Sequence, residues 1–137
     1  MALLESHYYM RYNKSVALSE QYLIDCVPKG CKGAHYYNGI DYVEGNGIPS
    51  SNYKYMEKEG SCVKSIEKAP VKVTSFEFFN SVNVEEMKNI VSTFGPVGVG
   101  MDASAITFSS YKSGIFEDAN CDNSRTNHAV LVVGFGK

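Results

Sequence analysis

Three histidines and four cysteines are the side chains of this sequence best suited to proton transfer, nucleophilic attack or metal binding. His7 falls on the face of an N-terminal helical pattern, where packing or solvent exposure is the ordinary role. His35 follows the Gly33-Ala34 turn and can line a surface groove. His128 differs from both. It opens an apolar strand, beside Asn127, after a polar loop from Glu117 to Thr126, a place from which a ring nitrogen can be presented to a cleft. By local pattern alone it reads equally well as a strand-end histidine with no chemistry.

Cys26, Cys31, Cys62 and Cys121 are separated by 5, 31 and 59 residues. No Cys-x-x-Cys pair occurs and His35 and His128 stand at no zinc-finger spacing from them, so no structural zinc, other metal or cofactor is expected. Two explanations remain open from the residues themselves: buried free thiols in a reducing compartment, or bridges formed in an oxidising one. The triplet Asn13-Lys14-Ser15, a glycosylation sequon in a polar turn, leans toward the second.

The elements that must position these groups are short. Ala2 to Tyr12 is a predicted amphipathic helix with Leu3, Leu4, His7, Tyr8 and Met10 on one side. Ser19 is placed to cap a second helix running to about Cys26, with Glu20 in its first turn. A third helix is expected over residues 35 to 44, with Tyr37, Ile40 and Val43 on one face and Gly45 as its cap. Val71 to Phe79 alternates like a strand. Asn83 and Glu86 have capping-box spacing before a helix with Met87, Ile90, Val91 and Phe94 on its apolar face, stopped by Gly95-Pro96. Strands are then expected from Val97 to Met101, Tyr111 to Phe116 and His128 to Phe135.

The composition frames these elements as one globular domain. The chain has 137 residues, 44% hydrophobic and 20% charged, with a net charge of -2. That balance excludes a large hydrophobic deficit of the disordered kind, and argues against nucleic acid or an anionic membrane as the main partner. No apolar run approaches the length of a membrane span, and MALLESHYYMRY lacks the pattern of a signal peptide. The sequence opens inside a helical pattern and closes, at Lys137, directly after an apolar strand, so a portion of a longer domain is expected.

LSEQYLIDC, then GCKGAHYYNGIDYVEGNGI, then YKYMEKEGSC, followed by GPVGVGMDA, YKSGIF and NHAVLVVGFG, resemble in order and spacing the papain-type cysteine proteases, with the cathepsin L branch nearest. The resemblance runs from about Ala2 to Gly136. It implies an α+β fold: the later part of a helical lobe (about residues 1–70, with the connection) followed by part of a β-barrel lobe (about 71–137). In that family a thiolate and an imidazole hydrolyse peptide bonds. The nucleophile lies in a Gln-x-x-x-x-x-Cys-Trp signature whose helix ALLES would continue, so it would precede Met1. The Asn that orients the histidine would follow Lys137. Only His128 matches a catalytic position.

The same resemblance implies a Cys26–Cys62 disulfide, and leaves Cys31 and Cys121 as halves of bridges whose partners lie outside these residues. It places Gly33 and Ala34 against the backbone of an extended peptide, with Ala where the family has a second Gly. It makes Tyr36, Gly100 and Ala129 walls of a hydrophobic subsite that accepts a bulky side chain, and turns the carbonyl of Asn127 toward the substrate. Tight strand packing explains the small Gly100 and Ala129 equally well. The implied partners are peptide or protein substrates, a propeptide and a cystatin-like inhibitor, in a lysosomal or secreted setting. The rival expectations are a catalytically dead relative serving as a peptide-binding or interaction module, and a purely structural use of the scaffold.

Overall fold

The structure is a computed structural model describing residues 1–122 and 124–136. The elements are α1 (Ala2–Tyr12), α2 (Glu20–Cys26), a 3₁₀ turn (Gly30–Lys32), α3 (Tyr36–Asn46), α4 (Val84–Phe94), β1 (Val97–Met101), α5 (Ile106–Ser109) and β2 (His128–Val132). The chain forms two compact units, Met1–Met87 and the remainder from Lys88, divided within α4. No helix among the described residues is long and apolar enough to cross a membrane.

The first unit is built around α2. Ser19 caps it, accepting a hydrogen bond from the Tyr22 N–H at 3.1 Å while its own hydroxyl donates to the Tyr53 carbonyl at 2.7 Å. Leu18, Tyr22, Val43, Ile48 and Val71 form the core, each burial contributing roughly 1.5–3 kcal/mol for the larger side chains. Tyr22 meets Tyr53 edge-on at 5.7 Å and Tyr42 at 6.0 Å. Lys68 lies over its ring, 4.0 Å from the centroid, and donates to its hydroxyl. Leu4 and Tyr8 of α1, with Met1 just before it, pack against this core; His7 and Met10, expected on the same side, are exposed.

A row of polar attachments ties the segment from Tyr53 to Cys62 alongside α2. Gln21, only 1% exposed, accepts from the Met56 N–H at 2.7 Å and donates to the Lys58 carbonyl at 2.8 Å. Asp25 accepts from the Gln21 amide at 2.7 Å, from the Gly60 N–H at 2.7 Å and from the Tyr53 hydroxyl at 2.6 Å. One residue further on, Cys26 is bridged to Cys62. Both polar ends of the buried amide are therefore satisfied, as burial requires.

Several sequence expectations are corrected. α3 ends at Asn46, with Gly47 at φ 67° as its cap and Gly45 inside the helix. Here Gly47 donates to the Val43 carbonyl at 2.7 Å, at a positive φ that glycine adopts without a Cβ clash. Val71 to Phe79 is not a strand. Val71 is buried but Phe76, Phe78 and Phe79 are exposed, and the only ladder among the described residues joins β1 to β2; alternation without a neighbouring strand leaves backbone groups unpaired. Tyr111 to Phe116 is not a strand either, because Gly114 turns the chain at φ 91° and the Tyr111 hydroxyl donates back to the Gly114 carbonyl.

In the second unit β1 and β2 pair antiparallel, from Val97 opposite Val132 to Met101 opposite His128. β2 stops at Val132 rather than Phe135. The next position on the opposite chain is Pro96, which has no N–H to extend the ladder, and Gly95 before it turns at φ 91°. At the start of α4 the capping box is formed as expected: Asn83 N–H donates to Glu86 at 2.8 Å and Glu86 N–H to Asn83 at 3.0 Å.

Candidate active site

His128 is the first residue of β2 and is exposed. Its backbone is fixed by the register opposite Met101, and its ring lies against Phe108 at 6.2 Å with an interplanar angle of 62°. Phe108 in turn contacts Phe116 edge-on at 5.4 Å, and Phe116 contacts Tyr111 at 5.9 Å. The imidazole thus stands at the rim of an aromatic group drawn from α5 and the loop after it.

The residue before it is held more firmly. Asn127 donates its backbone N–H to the Met101 carbonyl at 3.1 Å, accepts from the Ala103 N–H at 2.8 Å, and donates its amide to Asp102 at 3.1 Å. Asp102 also accepts from the Ser104 hydroxyl at 2.6 Å and N–H at 3.0 Å, and from the Asp122 N–H at 3.4 Å. The Ser104 hydroxyl and N–H hold its carboxyl below the ordinary aspartate value against desolvation, with lesser help from the Asp122 N–H and the charge of Arg125. A carboxylate that accepts several hydrogen bonds stays ionised, so Asp102 is a fixed anion behind the turn leading to His128.

Gly100 and Ala129 face each other across the strand pair, and both are exposed. The space over Gly100 is taken: the Thr126 methyl stands where a Cβ would be. This gives the small residue a packing reason of its own.

In the first unit, Gly33 is exposed at φ 81° with open space where a Cβ would stand, and Ala34 beside it is exposed. Tyr36 opens α3 half-buried, its ring 6.2 Å from Tyr37 and 6.3 Å from Phe78. Tyr37 meets Phe78 at 5.5 Å and carries His35 stacked at 5.0 Å, 7° from parallel. The expected residues Gly33, Ala34 and Tyr36 therefore sit together on one stretch, and Gly100, Asn127, His128 and Ala129 on another, each within its own unit. Cys31 and Cys121 are free and exposed. Among the described residues no group of His, Cys, Asp or Glu could hold a metal ion.

Sequence reasoning passed over Asp102, Phe108 and Phe78. Asp102 had a signal, since an aspartate two residues before a serine is a common turn former. The two phenylalanines had none; their contacts come from chain returns that local pattern does not encode.

Residues 1–137 match the papain family cysteine protease model from end to end, and the chain belongs to that family. Among individual relatives it is similar to mouse cathepsin K, 36% identical over 97% of this chain and 42% of that protein. It is likewise 36% identical to cathepsin L of the fly Sarcophaga peregrina, over 97% of this chain and 41% of that one. The solved structure of digestive procathepsin L2 from the larval midgut of Tenebrio molitor superimposes with a TM-score of 0.90 at 29% identity, covering 98% of this chain and 44% of that one. The chain thus spans about two-fifths of the length of these relatives. The family and the neighbour make the fold papain-like α+β, of the cathepsin L-like kind.

Proposed function

We propose that these residues are the part of a papain-like cysteine endopeptidase that supplies the catalytic histidine, His128. The family match across the whole chain carries the reading. It is supported by the exposed imidazole at the head of β2, with Asn127 and Asp102 fixing the turn before it. In this chemistry a thiolate attacks the peptide carbonyl and the imidazolium protonates the leaving amine. His128 is assigned the proton transfer. Gly33 and Ala34 are assigned the backbone of an extended peptide, Tyr36, Gly100 and Ala129 a hydrophobic subsite, and the Asn127 carbonyl a contact to substrate.

Neither free cysteine is suited to be the nucleophile. Cys31 lies in the 3₁₀ turn and Cys121 in a polar loop, so neither stands at the head of an α-helix, where this family carries its nucleophile. The 137 residues alone are therefore proposed to be inactive. A propeptide fits the neighbour being a proenzyme; peptide substrates, a cystatin-like inhibitor and a lysosomal or secreted location complete the reading. The bridge between Cys26 and Cys62 supports such an oxidising setting.

The test joins this chain, at matching positions, to the segments of a papain-family protease that carry the Cys-Trp signature and the orienting Asn. The hybrid is assayed with a fluorogenic Phe-Arg substrate at mildly acidic pH under reducing conditions. Turnover is expected from the hybrid, loss of it with His128→Ala, and none from the 137 residues alone. A hybrid that folds, with a native-like circular dichroism spectrum, yet binds peptide without cleaving it would instead mark a dead homologue. Undiminished turnover in His128→Ala would overturn the assignment.

A further inference from the structure

We infer that Asn13 carries an N-linked glycan, a modification that rests on the secretory reading above. Asn13 ends α1 in the left-handed region, φ 51° and ψ 36°, with its N–H donated to the Tyr9 carbonyl at 2.7 Å. An asparagine tolerates that conformation, so its presence alone would say nothing. The position two residues on is what distinguishes an acceptor from a cap, and it is Ser15, which has no part in closing the helix. Lys14, between them, is not proline, so Asn13-Lys14-Ser15 is a complete acceptor triplet.

Asn13, Lys14 and Ser15 are all exposed, and the chain stays irregular until Leu18 bridges to Ser50. A bulky hydrophilic group on the Asn13 carboxamide therefore points to water and displaces no core residue; Tyr9 and Tyr12 around it are themselves more than half exposed. The independent observation is the bridge between Cys26 and Cys62. Disulfides form in the compartments where asparagine glycosylation takes place, so the acceptor and the conditions for modifying it coincide in one chain.

The co-reactant is a lipid diphosphate-linked oligosaccharide. The amide nitrogen of Asn13 attacks C1 of its first N-acetylglucosamine, the C1–O bond to the diphosphate breaks, an N–C1 bond forms, and the amide loses one proton. The lipid diphosphate leaves with the bonding electron pair.

The test is secretion of the chain from eukaryotic cells behind a cleavable leader, followed by intact-mass measurement before and after peptide N-glycosidase treatment in heavy-oxygen water. A glycan mass that disappears on treatment, leaving heavy-oxygen aspartate at position 13, is the expected result. Asn13→Gln, Ser15→Ala and Lys14→Pro should each abolish it, whereas Ser15→Thr should keep occupancy at or above that of the unchanged chain. Non-reducing peptide mapping of the same material separates the two readings. Bridged Cys26–Cys62 with an unmodified Asn13 overturns the glycan and leaves the compartment standing; absence of both overturns the secretory reading as well.

Discussion

Asp102 and Asn127 are joined by a side-chain hydrogen bond of 3.1 Å, at the end of the strand pair where Met101 faces His128. The bond closes the mouth of the ladder from both sides. Asn127→Ala should therefore loosen the backbone around His128 without unfolding the rest. Amide exchange at Ala103, which donates to the Asn127 side chain at 2.8 Å, is expected to quicken at least several-fold. Exchange in α2 should not change. Equal acceleration in both places would mean that Asn127 supports the whole chain rather than this turn.

Asp25 gives a prediction in pH. Burial pushes its carboxyl upward, but the Tyr53 hydroxyl, the Gly60 N–H and the Gln21 amide outweigh this, and the net direction is below the ordinary 3.8. The same contact raises the Tyr53 hydroxyl, with burial and the Asp25 charge adding to it. A depressed carboxylate stabilises the fold fully above its unfolded pKa, and the contribution fades as pH falls through the folded one. Asp25→Asn should cost about 1.5–3 kcal/mol near pH 6, the range for hydrogen bonds to a charged group. The gap to the unchanged chain should shrink below about pH 4. Denaturant midpoints from pH 6 to pH 3 measure it, and a gap independent of pH would refute it.

The Cys26–Cys62 bridge closes a loop with a sequence separation of 36. The chain-entropy model gives about 3–4 kcal/mol for a loop of that size. Replacing both cysteines by serine should lower stability, read from denaturant midpoints, by that order, and non-reducing peptide mapping of the unchanged chain should find Cys26 joined to Cys62 and not to Cys31 or Cys121.

Two isoleucines make a contrast in burial. Ile48 is 0% exposed and Ile115 is 89% exposed. Ile48→Ala should cost about 2–5 kcal/mol. Ile115→Ala should stay within about 0.5 kcal/mol. Thermal or urea unfolding of the two variants distinguishes a core position from a surface one.

Local rules made some of this legible. The α1 bounds, the Ser19 cap, the Asn83–Glu86 box and β1 follow from residues within one turn of each other, where sequence and geometry coincide. The expected strands at Val71 and Tyr111 failed because a strand is a relation between two segments, and alternation describes only one of them. Of the candidate site, the placement of His128 at a strand head was readable from the polar loop running into an apolar segment. The support from Asp102, 25 residues before Asn127, and from Phe108 was not, since it depends on how the chain returns.

The attachments along α2 have a meaning for descent as well as for stability. Tyr53, Met56, Lys58, Gly60 and Cys62 are reached in turn from Ser19, Gln21, Asp25 and Cys26, and four of those contacts take main-chain atoms. Such contacts read position along the chain and are indifferent to the side chain at that position. Inserting or deleting one residue between Tyr53 and Gly60 would throw every later contact out of step, while many substitutions there would leave all of them in place. This stretch should therefore drift freely in composition among related genes and hardly at all in length, whereas 74–81, past the last core anchor of the first unit, should accumulate gaps.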